Sequence, residues 1–145
     1  MIDSFSLCIL FQRIFITYQS SFVMCLYTKW KKPKKAEKDI IVYKILDKDC
    51  ISPYRCFAYN LGVKYDTDIE SYKGVFTSGI YIENGFHAFT SKRALLKSAL
   101  KKGFRPATAF KCIIPKGSSY YISSCKKEIV SDSIIIKRRL VFNRF

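Results

Sequence analysis

Ile80-Tyr81-Ile82-Glu83-Asn84-Gly85-Phe86-His87-Ala88-Phe89-Thr90-Ser91 leads directly into Lys92-Arg93-Ala94-Leu95-Leu96-Lys97-Ser98-Ala99-Leu100-Lys101-Lys102-Gly103. Val75 to Ile82 has the composition of a strand, interrupted by Gly79. Asn84-Gly85 is a strong turn signal, which sets Phe86 to Phe89 into a short following strand. Thr90 or Ser91 then caps a helix over about 91–102. Ala94, Leu95, Ala99 and Leu100 give it one apolar stripe, Lys101 and Lys102 fill its last turn, and Gly103 follows as the residue that stops it. Strand, turn, strand and capped helix in one short stretch point to a mixed fold.

The same reading extends outward. Ile40 to Leu46 is β-rich and mostly apolar, an inner strand. Asp47 to Pro53 reads as a loop, Arg55 to Tyr59 as a second short strand, and Asn60-Leu61-Gly62 as a turn. Lys64 to Lys73 is polar and acidic, the pattern of a surface loop. Thr108 to Ile114 is a strand. Pro115-Lys116-Gly117-Ser118 is a turn with Pro at its second position, and Ser119 to Ser123 returns as a strand, giving a hairpin. Ser133 to Phe142 is a long last strand carrying Lys137, Arg138 and Arg139. The expectation is an α+β fold: a largely antiparallel sheet of about six or seven strands with one main helix packed on it.

Three segments differ in character. Residues 1–23 are apolar and aromatic, broken by Gln12 and Arg13, and the apolar run is shorter than the about 20 residues of a membrane span. Asp3 stands where a secretory signal needs basic residues, and no small-residue cleavage site follows. The segment is therefore read as an upstream extension, with Met24 as the start of the protein proper. On that reading removal of Met24 exposes Cys25, whose amine and thiol can act together as base and nucleophile; an incidental cysteine fits as well. Residues 24–39 form a basic arm, extended at Lys32 because Pro33 follows it, and expected to be mobile. Residues 40–145 form a single α+β domain, in keeping with a chain of 145 residues.

The formal charge of +15 is unevenly placed. Residues 24–39 carry net +4, residues 40–90 net −1, and residues 91–145 net +12. Such asymmetry points to an anionic partner, nucleic acid or nucleotide, or else to solubility alone. Hydrophobic residues at 49% and aromatics at 16% exclude a disordered chain.

Six cysteines include no Cys-x-x-Cys pair, and there is one histidine, so no structural metal site is expected. Reduced thiols fit better than disulfides, and a cytoplasmic location fits reduced thiols. Walker loop, dinucleotide fingerprint, nucleophile elbow and His-Glu-x-x-His patterns are all missing. What remains is His87, which fits either a site or a buried, hydrogen-bonded histidine. Thr90 and Ser91 open the helix, where free N–H groups attract anions, and Lys92 and Arg93 make that end electropositive. These cations oppose the helix dipole at a cost of about 0.3–1 kcal/mol each. The expected ligand contacts are therefore His87, Thr90, Ser91, Lys92 and Arg93, supported by a basic patch at Lys137, Arg138 and Arg139. Basic residues among aromatics at Tyr120, Tyr121, Lys126 and Lys127 suit single-stranded nucleic acid, although aromatics in strands also serve as core.

Two resemblances follow from particular residues. The Met24-Cys25-Leu26 opening with its Lys-Pro-Lys arm, Ser52-Pro53-Tyr54, Gly85 to Phe89, and Cys112-Ile-Ile-Pro-Lys-Gly-Ser-Ser-Tyr-Tyr121 resemble a group of small proteins from gut Bacteroidales and their phages. That resemblance implies a phage or mobile-element setting and no particular activity. More loosely, Phe89-Thr90-Ser91 and the Ile-Pro-Lys-Gly turn are similar to motifs of ADP-ribosyltransferase-like folds. That similarity implies an NAD-using enzyme, or an inactive relic of one, with His87, Ser91 and Glu128 as the catalytic carriers. Tyr43-Lys44 stands where those folds place a first-strand Arg or His, and Val130-Ser131-Asp132 where they place a Glu. The leading expectation is a small basic binding module for an anionic ligand, without a resident cofactor. The rivals are the NAD enzyme and a purely structural or protein-partner-binding domain.

Overall fold

The computed structural model describes residues 26–52, 57–74, 78–102 and 109–141. These form β1 (Leu26–Thr28), β2 (Lys34–Lys35), β3 (Ile40–Ile45), β4 (Lys64–Asp66), β5 (Glu70–Lys73), β6 (Ile80–Asn84), β7 (Phe86–Phe89), α1 (Lys92–Lys102), β8 (Ala109–Ile114), β9 (Ser119–Ile122), β10 (Glu128–Ser131) and β11 (Ser133–Arg139). The mostly antiparallel α+β character is as expected. The described strands number eleven, in two sheets, against the six or seven expected in one.

The larger sheet has the order β2-β9-β10-β7-β3-β8-β11-β4, and the smaller one β1-β6-β5. Only Asp132 separates β10 from β11. Yet β10 lies between β9 and β7, whereas β11 lies between β8 and β4. One long stretch of chain thus serves two places in the sheet, which must curl back towards it. The inner face of the curl carries alternate residues of each strand: Val42, Phe86, Ala88, Phe110, Cys112, Ile114, Ile129, Ile134 and Ile136. At about 1.5–3 kcal/mol per fully buried large side chain, this cluster is the main source of stability.

The outer face is covered twice. Leu95 and Ala99 of α1, with Leu96 beside them, pack on Ile45, Ala109 and Leu140, next to Tyr43 and Phe89. The small sheet places Leu26 and Ile82 on Tyr121 and Val130. Leu100 is not part of the buried stripe, being 74% exposed; a helix this short buries the i, i+4 pair Leu95 and Ala99.

Several local expectations change. Asn84-Gly85 does not close a hairpin: β6 pairs with β1 and β5, while β7 pairs with β10 and β3. Gly85 is the corner at which the chain passes from the small sheet to the large one. Its φ is +141°, and a Cβ there would lie 2.6 Å from Val130 Cγ2. The Pro115–Ser118 turn forms, with Ser118 N–H donating to Pro115 O at 3.1 Å, but β8 and β9 diverge from it into different parts of the sheet. The expected hairpin fails because β3 and β11 already occupy both edges of β8. Lys64 to Lys73 contains β4 and β5 instead of a loop. Their polar sequence reflects exposed sheet edges, where no face needs to be apolar.

The basic arm also forms strands. Leu26–Thr28 pairs with β6, and Lys34–Lys35 pairs with β9, so this segment is extended but docked on both sheets. Of the expected second strand, residues 53–56 lie outside the described residues, and Ala58 makes an isolated bridge to Ile51. The last strand ends at Arg139, with Leu140 buried after it. Residues 1–25, including Met24 and Cys25, also lie outside the described part. Among the described residues no helix is long and apolar enough to cross a membrane.

Candidate anionic-ligand interface

β7 alternates strictly. Phe86 and Ala88 face the inner cluster, so His87 and Phe89 face outward, and the His87 side is half-buried. His87 pairs with Val130 across β10, and Glu128 pairs with Phe89 one step along. The sequence thus brings His87, Ser91 and Glu128 into one corner of the molecule.

The two hydroxyls of that corner are engaged in holding the fold. Thr90 Oγ1 donates to Lys126 O at 2.8 Å, with Lys127 O also in reach at 3.2 Å, and Thr90 N–H donates to Lys127 O at 3.0 Å. These bonds fasten the start of α1 to the β9–β10 turn. Ser91 is the N-cap: its Oγ accepts Ala94 N–H at 3.1 Å, and its carbonyl accepts Leu95 N–H at 3.1 Å. Glu128 N–H donates to Ser123 Oγ at 3.2 Å, and Ser123 N–H donates to Glu128 O at 2.9 Å. Lys92 and Arg93 are exposed, and the first turn holds no acidic residue.

Beneath this corner lies a buried amine that the sequence reading did not single out as a polar group of interest. β3 and β7 share one register pair, Tyr43↔Phe89. Where the two strands splay, Lys44 Nζ donates to His87 O at 2.6 Å. Lys44 points to the inner face with Val42, its ammonium 5.8 Å from the centre of the Tyr59 ring. Burial lowers its pKa from 10.5 to about 8, against a smaller opposing influence from Cys112. Burial likewise pushes the Cys112 thiol up to about 12, and raises Tyr59 above its ordinary value. A thiol and a phenol held neutral in an apolar interior are poor nucleophiles. The signal was legible: Lys44 is the one charged residue in an otherwise apolar strand.

The basic arm gives the opposite picture. Lys29, Lys31, Lys32, Lys34, Lys35 and Lys38 fall within ten residues, and among the described residues none pairs with a carboxylate. Trp30 N–H donates to Thr28 Oγ1 at 3.1 Å, and the Trp30 ring meets Tyr120 edge-on at 5.9 Å. Lys34 Nζ lies 4.3 Å above that indole. Ala36 is buried, donating its N–H to Ser118 O and accepting Gly117 N–H, both at 2.8 Å. Asp39 Oδ1 is taken by Lys116 N–H at 2.8 Å. The backbone of the lysine run is therefore docked, with Lys34 and Lys35 on the edge strand β2. Trp30 and Ala36, apolar residues inside a lysine run, were the sequence signal for docking. The expected support at Lys137, Arg138 and Arg139 is exposed at the far end of β11, opposite Lys111 and Phe110 of β8.

Two concavities lie beside this edge. One, of about 190 Å³, is lined by Pro33, Thr67, Asp68, Ser119, Tyr121 and Asp132 among others. The second, of about 410 Å³, is lined by Lys31, Lys73, Gly74, Ser78, Gly79 and Ile80. His87, Ser91 and Glu128 line neither of these two. Among the described residues no group of three or more His, Cys, Asp or Glu side chains could hold a metal ion. Cys50, Cys112 and Cys125 are free thiols. Compared with known proteins, the chain matches no family model, no curated protein and no solved structure.

Proposed function

We propose that the protein is a small basic binding module for an extended anionic ligand, nucleic acid above all, and that its contact surface is the Lys29–Lys38 edge. The supporting observation is that six lysines lie on β2 and its flanks with no ion pair to a carboxylate among the described residues, Glu37 and Asp39 offsetting only two of the six charges. Holding like charges together costs energy unless an anion completes the arrangement. Extended backbone carries neighbouring lysines at about 3.3 Å intervals on alternating sides, which suits a linear chain of phosphates. The gut Bacteroidales and phage resemblance is compatible with such a role and adds no activity to it.

Fluorescence anisotropy with labelled single-stranded DNA and RNA, over a series of salt concentrations, tests this reading. Binding should weaken linearly in log–log form, and Lys35→Gln should reduce the slope by roughly 0.7, the loss of one phosphate contact on a single strand. Binding that is missing at low salt, or that ignores salt, would sink the proposal.

A further inference from the structure

Lys31 and Lys73 are 42 positions apart in the chain, yet they line one cavity. We infer that this cavity is a discrete site for a compact phosphate-bearing group; the inference rests on the anionic-ligand reading and gives it an anchor point. Both lysines are placed by built structure. Lys73 ends β5 opposite Ile80, and Ile80 in turn pairs with Thr28 of β1. Lys31 follows the turn in which Thr28 Oγ1 accepts Trp30 N–H, beside the indole that Lys34 covers.

The rest of the wall suits an anion. Among the described residues no carboxylate lines the cavity. Gly74 presents backbone in place of a side chain, which allows close approach of a ligand. Gly79 has a packing reason to stay glycine, since a Cβ would lie 2.5 Å from Thr28 O and 2.7 Å from the Tyr27 ring. Ser78 adds a hydroxyl, able to donate to a phosphate oxygen. A volume of about 410 Å³ lies in the usual range of ligand pockets, roughly 300–1,000 Å³. Lys31 belongs to the same lysine run as Lys34 and Lys35 of β2, so a strand lying on that edge could place a terminal phosphate in the cavity. A free nucleotide would offer the same chemistry.

Calorimetric titration of the full chain with inorganic pyrophosphate, at about 0.15 M salt to screen diffuse attraction, tests the site. The wild type should give a saturable one-site isotherm. Lys31→Gln and Lys73→Gln should each weaken it roughly tenfold or more, Lys73→Arg should restore most of it, and Lys97→Gln, at an exposed position of α1, should leave it unchanged. Competition identifies the source. A 5′-phosphorylated oligonucleotide that displaces pyrophosphate better than its 5′-hydroxyl counterpart marks a strand end, and displacement by ADP with no such preference marks a free nucleotide. Unsaturable heat, or equal losses in Lys97→Gln and Lys73→Gln, overturns the assignment. Lys73 lies off the lysine edge, so salt-dependent oligonucleotide binding could persist when the cavity assignment fails.

Discussion

The corner around His87 and the edge around Lys34 carry opposite kinds of residue, and the fold treats them in opposite ways. The corner holds the residues that catalysis favours: an imidazole, two hydroxyls and a carboxylate. Thr90 is spent on the β9–β10 turn, Ser91 on the first turn of α1, and the His87 carbonyl on Lys44. The edge holds repeated lysines of no special chemistry, and their ammonium groups are left over after every backbone bond of β2 has been made. A polar group that the fold has already used has little left to offer a ligand. In this chain the two hydroxyls of the corner are used by the fold, whereas the lysine charges of the edge stand on a docked backbone.

The largest expected effect would break or keep the structural role of the corner. Lys44 is buried with its pKa lowered to about 8 from 10.5. Below pH 8 both folded and unfolded chains hold this proton, and the folded state bears the full desolvation cost, about 3 kcal/mol. From pH 8 upward the folded chain releases the proton while the unfolded chain keeps it, so stability rises with pH. Above about pH 9 Cys112 and Tyr59 act in the other sense, because burial keeps them protonated when the unfolded chain ionises. Denaturant unfolding should therefore show stability climbing between pH 7.5 and 9, then levelling or falling. Lys44→Met should lose that climb. A flat wild-type profile, or the same climb in the variant, would mean that Lys44 is not the buried cation described.

A second, smaller effect sharpens the contrast within the corner. Ser91→Ala removes the N-cap bond to Ala94 N–H and should cost about 1 kcal/mol, with oligonucleotide affinity unchanged. Thermal unfolding and anisotropy on the same variant give both readouts. Unchanged stability with lost binding would return the site to the α1 start and reverse the comparison.

What the sequence disclosed follows the same division. Strong patterns survived: the Ile40–Ile45 strand, the Ser91-capped helix and the Phe86–Phe89 strand all rest on burial or capping that leaves a mark on residue order. Edge strands were missed because Glu70-Ser71-Tyr72-Lys73 has both faces in water and needs no alternation. The Asn84-Gly85 and Pro115–Ser118 turns were legible as turns, but local signals cannot say which strands meet afterwards. That depended on β10 and β11 being one stretch used in two places, which is a long-range fact. The lysine edge was visible as charge, yet its order came from Trp30 and Ala36, and two apolar residues in ten are easily read as incidental.

The smallest expected effect probes the edge itself. Lys35 is exposed on β2 and makes no described ion pair, so Lys35→Gln should change stability by no more than about 0.5 kcal/mol. The sign should be stabilising at low salt, because one member of a six-lysine run is neutralised, and the gain should fade as salt rises. Lys34→Gln differs in one contact, the ammonium 4.3 Å over Trp30, worth about 0.5–1 kcal/mol at an exposed site. It should therefore be the less stable of the two at every salt concentration, by a margin that salt hardly alters. Chemical denaturation of both variants at low and moderate salt separates the contributions. If Lys35→Gln destabilises as much as Lys34→Gln, the edge lysines are part of the fold's own electrostatics, and the charge left over for a ligand is smaller than the structure indicates.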